Sequence, residues 1–242
     1  MVRNLTALLC LAFLWAATLS PLKADTLVYG GGTETGSRFN PGPGVITYMN
    51  CFTAVSGGAS YLEITNAVFG IRRLVSAGAL TDVGVNLYAA EMTFDGTEFG
   101  RGTNHLIYST NSLGPGASTV TQLVDTGAIT GVNLALELVS NPGLGGWWMG
   151  VEFTGPNAAN TLNGWRVVNA PTTGASYDAF GLFNDANSGI FEAFFAFGNP
   201  PGSSPSRFMV NVKGNLSAVP EPGSLGLLAV AATGLVVARR RK

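Results

Sequence analysis

The chain offers one histidine and few plausibly paired acids with which to do chemistry. A Ser-His-Asp hydrolase would have to use His105 as its base, because that role needs an imidazole or a close substitute. His105 stands in Thr103-Asn104-His105-Leu106-Ile107 at the start of a strand-like run, and no serine occupies the Gly-x-Ser-x-Gly turn that exposes a nucleophile. A zinc site draws on four Cys, His or carboxylate ligands, and one His with one Cys outside the leader does not supply them. Glycoside hydrolysis needs two carboxyl groups ~5–10 Å apart across one sugar bond. Glu91, Asp95, Glu98, Glu137 and Glu152 have the right type, but nothing in their spacing brings two together, and solvated surface is their ordinary setting. Asp185-Ala186-Asn187-Ser188-Gly189 alternates oxygen ligands ahead of a turn glycine, as a calcium loop begins. It lacks the downstream bidentate Glu of an EF-hand, and Asx-rich turns share that composition for backbone reasons. The sequence therefore predicts a non-enzyme with no catalytic residue, no metal and no cofactor.

The aromatic residues suggest a contact instead. Trp147, Trp148 and Trp165 stand out with Phe191, Phe194, Phe195 and Phe197; a Trp face exposed on a sheet could stack on a sugar ring, although burial is the expected setting for most of these residues. Adjacent Trp147 and Trp148 point to opposite sides if both lie in a strand. At most one of them is then expected in the core, leaving the other for the surface. Cys51, in Tyr48-Met49-Asn50-Cys51-Phe52, reads as a small buried apolar residue; Cys10 falls in the apolar leader, so no internal disulfide is expected.

These side chains need a frame, and the composition indicates strands. Only 11% of the 242 residues are charged and 33 are Gly, which suits short strands joined by turns. Runs rich in β-branched and aromatic residues occur at 45–55, 61–74, 83–92, 105–110, 118–124, 132–139, 147–154, 165–168, 179–183, 190–197 and 207–212. Gly57-Gly58, Asp95-Gly96, Asn141-Pro142-Gly143 and Asn199-Pro200-Pro201-Gly202 punctuate them. The spacing and the lack of βα alternation predict an all-β body over 25–216, a two-sheet β-sandwich of roughly ten strands, jelly-roll-like. The stretch from Tyr61 to Ala79 is ambiguous between strand and helix, and Thr65, Val68 and Ile71 favour strand. From Asp25 to Glu221 the chain holds seven basic and all fourteen acidic side chains. A body with that balance has no electrostatic footprint for nucleic acid.

The two ends differ from the body. Arg3, an apolar stretch from Leu5 to Leu19, Ser20-Pro21 and Leu22-Lys23-Ala24 follow the three-part plan of a secretory signal peptide over 1–24, with the cut expected between Ala24 and Asp25. At the other end Val219-Pro220-Glu221-Pro222 precedes an apolar segment over 223–238, and Arg239-Arg240-Arg241-Lys242 closes the chain. Sixteen residues of helix span about 24 Å, enough for a bilayer core of ~30 Å if the flanking cations snorkel, and those cations belong on the cytoplasmic side. Proline fixes φ and biases the residue before it toward extended backbone. Residues 219–222 would thus offer an open strand beside the membrane.

In order and position, Pro220, Glu221 and Pro222, the helix from Leu225 to Val237 and the cluster Arg239–Arg241 resemble the PEP-CTERM sorting signal of Gram-negative bacteria. The resemblance covers the domain boundary from 217 to 242. It implies signal peptidase and exosortase as processing partners, transient anchoring in the inner membrane through residues 223–238, and release to the cell surface or an extracellular, exopolysaccharide-bearing biofilm matrix. The body segments Phe69-Gly70-Ile71-Arg72-Arg73, Gly150-Val151-Glu152-Phe153 and Asn163-Gly164-Trp165-Arg166 loosely resemble bodies attached to such tails. The expectation is a structural envelope or matrix protein, with a carbohydrate-binding module and an extracellular hydrolase as rivals.

Overall fold

The computed structural model describes residues 25–55, 59–73, 83–94, 99–113, 120–138, 143–159, 163–176, 180–183, 191–195 and 207–217. The expected signal helix, the transmembrane helix and the Asp185 loop lie outside the described residues, as do Asp95 and Glu98.

The described residues are strands and their connections. In chain order they are β1 (Thr26–Gly30), β2 (Glu34–Phe39), β3 (Ile46–Ala54), β4 (Tyr61–Arg73), β5 (Gly84–Phe94), β6 (Phe99–Thr110), β7 (Val120–Asp125) and β8 (Asn133–Ala135). There follow β9 (Glu137–Leu138), β10 (Leu144–Thr154), β11 (Asn163–Val168), β12 (Phe180–Phe183), β13 (Phe191–Phe195), β14 (Arg207–Phe208) and β15 (Val210–Ser217). They form two sheets. Sheet A runs β1-β15-β4-β11-β14, with β7 and β8 on β4 and β2 on β11; sheet B runs β13-β12-β3-β10-β5-β6, with β9 on β10. The all-β, two-sheet reading holds.

The long β4 shows how sequence and sheet agree. Leu62 and Ile64 point into the core, then Ala67, Phe69 and Ile71 do, so the buried parity switches between 64 and 67. Opposite it, Lys213 pairs with Asn66 and Gly214 with Ile64, which leaves Thr65 as an extra residue. A bulge of this kind turns a strand by one side chain, and here it keeps one apolar face inward along all thirteen residues. The same offset breaks strict alternation, and this explains why the stretch was ambiguous between helix and strand.

Two apolar clusters result. The larger fills the space between the sheets, where Leu62, Phe69, Trp165 and Phe208 of sheet A meet Met49, Leu87, Trp147 and Phe153 of sheet B. The smaller lies on the outer face of sheet B and joins Ile46, Tyr48, Phe52, Met92, Trp148 and Phe183. Glycine permits the second cluster. A Cβ on Gly150 would stand 2.6 Å from Tyr48 Cε1, and one on Gly146 would stand 3.0 Å from Phe52 Cε1, so these rings lie flat over bare backbone of β10. Tyr48 has little room to retreat: its hydroxyl donates to Asn104 Oδ1 at 2.9 Å and accepts from Arg101 Nη1 at 3.1 Å. Gly150→Ala is therefore expected to destabilise the body by about 1–3 kcal/mol, the cost of overpacking a tight site, read as a lower urea midpoint with unchanged slope.

Candidate functional site

The features expected to act on other molecules are the two ends, and the fold brings their attachment points together. β15 runs antiparallel to β1, with Thr26 opposite Gly214 and Leu27 opposite Lys213. The chain thus enters sheet A along β1 and leaves it along β15 at one and the same end. Ser217, the last residue of β15, is opposite Tyr61, and its carbonyl accepts the Ser60 N–H at 3.1 Å. At the entry, Thr26 Oγ1 donates to the Gly214 carbonyl at 3.0 Å, and the Asp25 carboxylate accepts from the Thr65 hydroxyl. From this register, Asp25 and Ser217 lie roughly 10 Å apart, one strand over and two residues along.

β15 is an interior strand, paired with β1 on one side and β4 on the other. Ala218 and Val219 alone separate its last residue from Pro220. Three extended residues reach no farther than about 11 Å, so an enzyme acting at Pro220-Glu221-Pro222 must work against the folded edge. Inserting four Gly/Ser residues after Ser217 is expected to leave the melting temperature unchanged and to speed removal of the tail. Deleting Ala218 and Val219 is expected to slow it several-fold, with pulse-chase labelling in the host as the measurement. Equal rates for all three chains would show that the edge does not obstruct the enzyme.

Among the described residues, the others singled out from sequence do not form a centre. Glu91 is opposite Trp147 and Glu152 is opposite Asn86, in an unbroken register between β5 and β10, so the two carboxylates face opposite sides of sheet B. Glu152 Oε2 accepts from Tyr88 Oη at 2.8 Å and Asn86 Nδ2 at 2.9 Å. Burial, reinforced by that carboxylate, pushes the Tyr88 phenol up. Burial alone would raise Glu91, but the N–H groups of Ala135 at 3.1 Å and Thr103 at 3.3 Å, together with nearby His105, outweigh it and lower its pKa. Glu137 sits on the short β9, opposite Gly146. His105 is opposite Ala89 on β6, with Nε2 buried and without a hydrogen bond. No group of three His, Cys, Asp or Glu side chains among the described residues could hold a metal.

The tryptophans require a correction. Trp147, Trp148 and Trp165 are all buried, at 0%, 1% and 0% exposure, so neither member of the adjacent pair is left for the surface and none of the three offers a ring face to a sugar. The two do point to opposite sides of β10, but the outer side is covered too: Trp148 Nε1 donates to the Gly100 carbonyl of β6 at 2.9 Å. Trp147 Nε1 donates to Thr53 Oγ1 at 3.0 Å and Trp165 Nε1 to the Met209 carbonyl at 2.9 Å. Buried rings with satisfied N–H groups are core. Cys51 is buried as expected, and burial pushes its thiol up, away from reactive thiolate.

Sequence reasoning missed two arrangements, the shared exit of both ends and the arginines Arg38, Arg72 and Arg166, which register brings together on sheet A. Both depend on pairing between distant segments, which no local pattern reports.

Neither the curated proteins nor the solved structures give a match to the chain. Residues 218–242 match the family model of the PEP-CTERM protein-sorting motif, beginning at the residue that follows β15. That motif marks an exported protein with a membrane-anchored C-terminal sorting signal, processed by an exosortase. The chain thus carries a PEP-CTERM protein-sorting motif over residues 218–242, joined directly to a two-sheet β body.

Proposed function

We propose that this protein is a non-catalytic structural component of the cell envelope or biofilm matrix, held briefly at the inner membrane by both ends and then released to the surface. The observation that carries the reading is the common exit of β1 and β15 from one end of sheet A, next to the matched sorting motif. A chain threaded into the membrane through 1–24 and again through 223–238 must present two close attachment points. A body whose ends emerged at opposite poles would have to unfold or lie flat to satisfy both. Signal peptidase would act between Ala24 and Asp25. Exosortase would act beside Pro220-Glu221-Pro222, with Arg239, Arg240, Arg241 and Lys242 holding the tail's end in the cytoplasm.

Deletion of the host's exosortase tests this. The protein is then expected to accumulate in the membrane fraction with residues 223–242 attached, whereas the parent strain yields a shortened chain at the surface or in the matrix. The same distribution in both strains would refute the proposal.

A further inference from the structure

Six large apolar side chains among the described residues are exposed, and they are not spread evenly. Tyr61, Phe94 and Leu138, at 37%, 42% and 62% exposure, stand at the end of the body from which both chain ends leave. Tyr61 opens β4 and is opposite Ser217. Ala135 is opposite Tyr61 on the other side, and the Leu136 N–H donates to the Ser60 carbonyl at 2.9 Å. The chain then crosses this end to β9, where Leu138 is opposite Gly145 at the start of β10. β5 runs antiparallel to β10, with Glu91 opposite Trp147, so its last residue, Phe94, lies level with that start. Phe94 is opposite Phe99 of β6 with ring centroids 4.8 Å apart, which places two rings together. Leu27, opposite Lys213, is four residues short of the level of Ser217. Leu106 and Leu123 lie elsewhere, and Leu123 is opposite Gly70, nine residues up β4 from Tyr61 and about 30 Å away. Single exposed apolar side chains are ordinary, but a group of them marks an interaction site.

We propose that this end of the body docks on the lipid surface, with Tyr61, Phe94 and Leu138 seated in the headgroup region. The occupant follows from the length of the connection. Residues 218–222 are all that separates Ser217 from the apolar segment at 223, and five extended residues reach at most about 18 Å. Headgroups fill roughly 5–8 Å of that distance, so the end of the body stands within about 13 Å of them. Tyr is favoured at the membrane interface, and Leu and Phe bury at the boundary of headgroups and acyl chains. Because the tail already confines the body to the surface at high effective concentration, a shallow contact of three side chains suffices. The inference rests on the membrane anchoring of the C-terminal sorting signal, and it adds a contact made by the body itself.

Fluorescence quenching by spin-labelled lipid tests it. The full chain with Cys10→Ser is reconstituted in phosphatidylcholine vesicles and labelled with a fluorescent maleimide at Leu138→Cys or at Leu123→Cys; Cys51 is buried and does not compete. Both labelled positions are exposed, Leu123 at 58%, and thermal melts check the fold of each variant. Lipid bearing a nitroxide just below the headgroup is expected to quench the label at 138 several-fold more than the label at 123. Tyr61→Ser with Phe94→Ser should lower the quenching at 138 several-fold. Four Gly/Ser residues inserted after Ser217 separate docking from a short tether, since a docked end keeps its quenching despite ~14 Å of added reach. Equal quenching at the two positions, or loss of quenching at 138 on insertion, would overturn the proposal. So would disulfide-linked dimers of the unlabelled Leu138→Cys chain without lipid quenching, which would assign this end to a second copy. Alkaline extraction reads the anchor separately. Protein that stays in the vesicles with an unquenched label at 138 refutes docking and leaves the sorting reading standing, whereas protein that is extracted removes the anchoring on which both rest.

Discussion

Replacing Pro220, Glu221 and Pro222 together by alanine is expected to abolish removal of the C-terminal tail, shifting the protein from almost wholly released to almost wholly membrane-bound. The two proline rings fix the backbone and hold the residues before them extended, and Glu221 is the only charge between Lys213 and Arg239. Alanine erases both properties, so an enzyme that reads them loses its signal. The fold should not respond. β15 makes its last pairing at Ser217, so the variant is expected to melt at the wild-type temperature. Fractionation followed by immunoblotting reads the effect. Normal release of the variant would show that the motif is not the processing signal.

Trp165→Ala is expected to give the largest loss of stability among single core substitutions. Trp165 is fully buried, stacked on Phe208 with ring centroids 4.5 Å apart and an interplanar angle of 12°, and packed against Phe69 at 5.7 Å. Its indole N–H satisfies the Met209 carbonyl at 2.9 Å. Truncation removes the ring and opens a cavity between the sheets, and it leaves the Met209 carbonyl with the Gly70 N–H at 3.0 Å as its remaining donor, at a cost of about 3–5 kcal/mol. Single domains are stable by only ~5–15 kcal/mol, so the variant should lose most of its margin. Urea denaturation would show a large fall in midpoint, and a change below about 1 kcal/mol would mean the ring does not pack as described.

Much of the fold was legible because it depends on local chemistry. The runs at 45–55, 83–92 and 147–154 became β3, β5 and β10, each within three residues at either boundary, since β-branched and aromatic residues suit a pleated, half-buried surface. Less legible were segments that are strands only through their partners. β2, Glu-Thr-Gly-Ser-Arg-Phe, has little strand propensity, yet it pairs along β11. β6 begins at Phe99, earlier than expected, because Gly100 and Gly102 weaken the local signal while packing makes use of them: Gly100 accepts the Trp148 indole and Gly102 lies against Glu91.

The functional features divide along the same line. Pro220-Glu221-Pro222 with its apolar segment and basic end is contiguous, so sequence alone identified it. The alternation of Trp147 and Trp148 was also read correctly, but solvent was assigned to a face that Tyr48, Phe52 and Met92 cover. The arginines were visible one by one, as in Phe69-Gly70-Ile71-Arg72-Arg73, but Arg38 and Arg166 are 128 positions apart. Only the register of β2 on β11 makes them neighbours.

The most direct measurement of the sorting reading is the intact mass of the protein recovered from the surface or matrix of its own host. The expected chain begins at Asp25 and ends beside Pro220-Glu221-Pro222, without residues 1–24 or 223–242. A recovered chain that still carries the apolar segment and Arg239 to Lys242 would contradict it, and the C-terminal segment would then be an ordinary anchor.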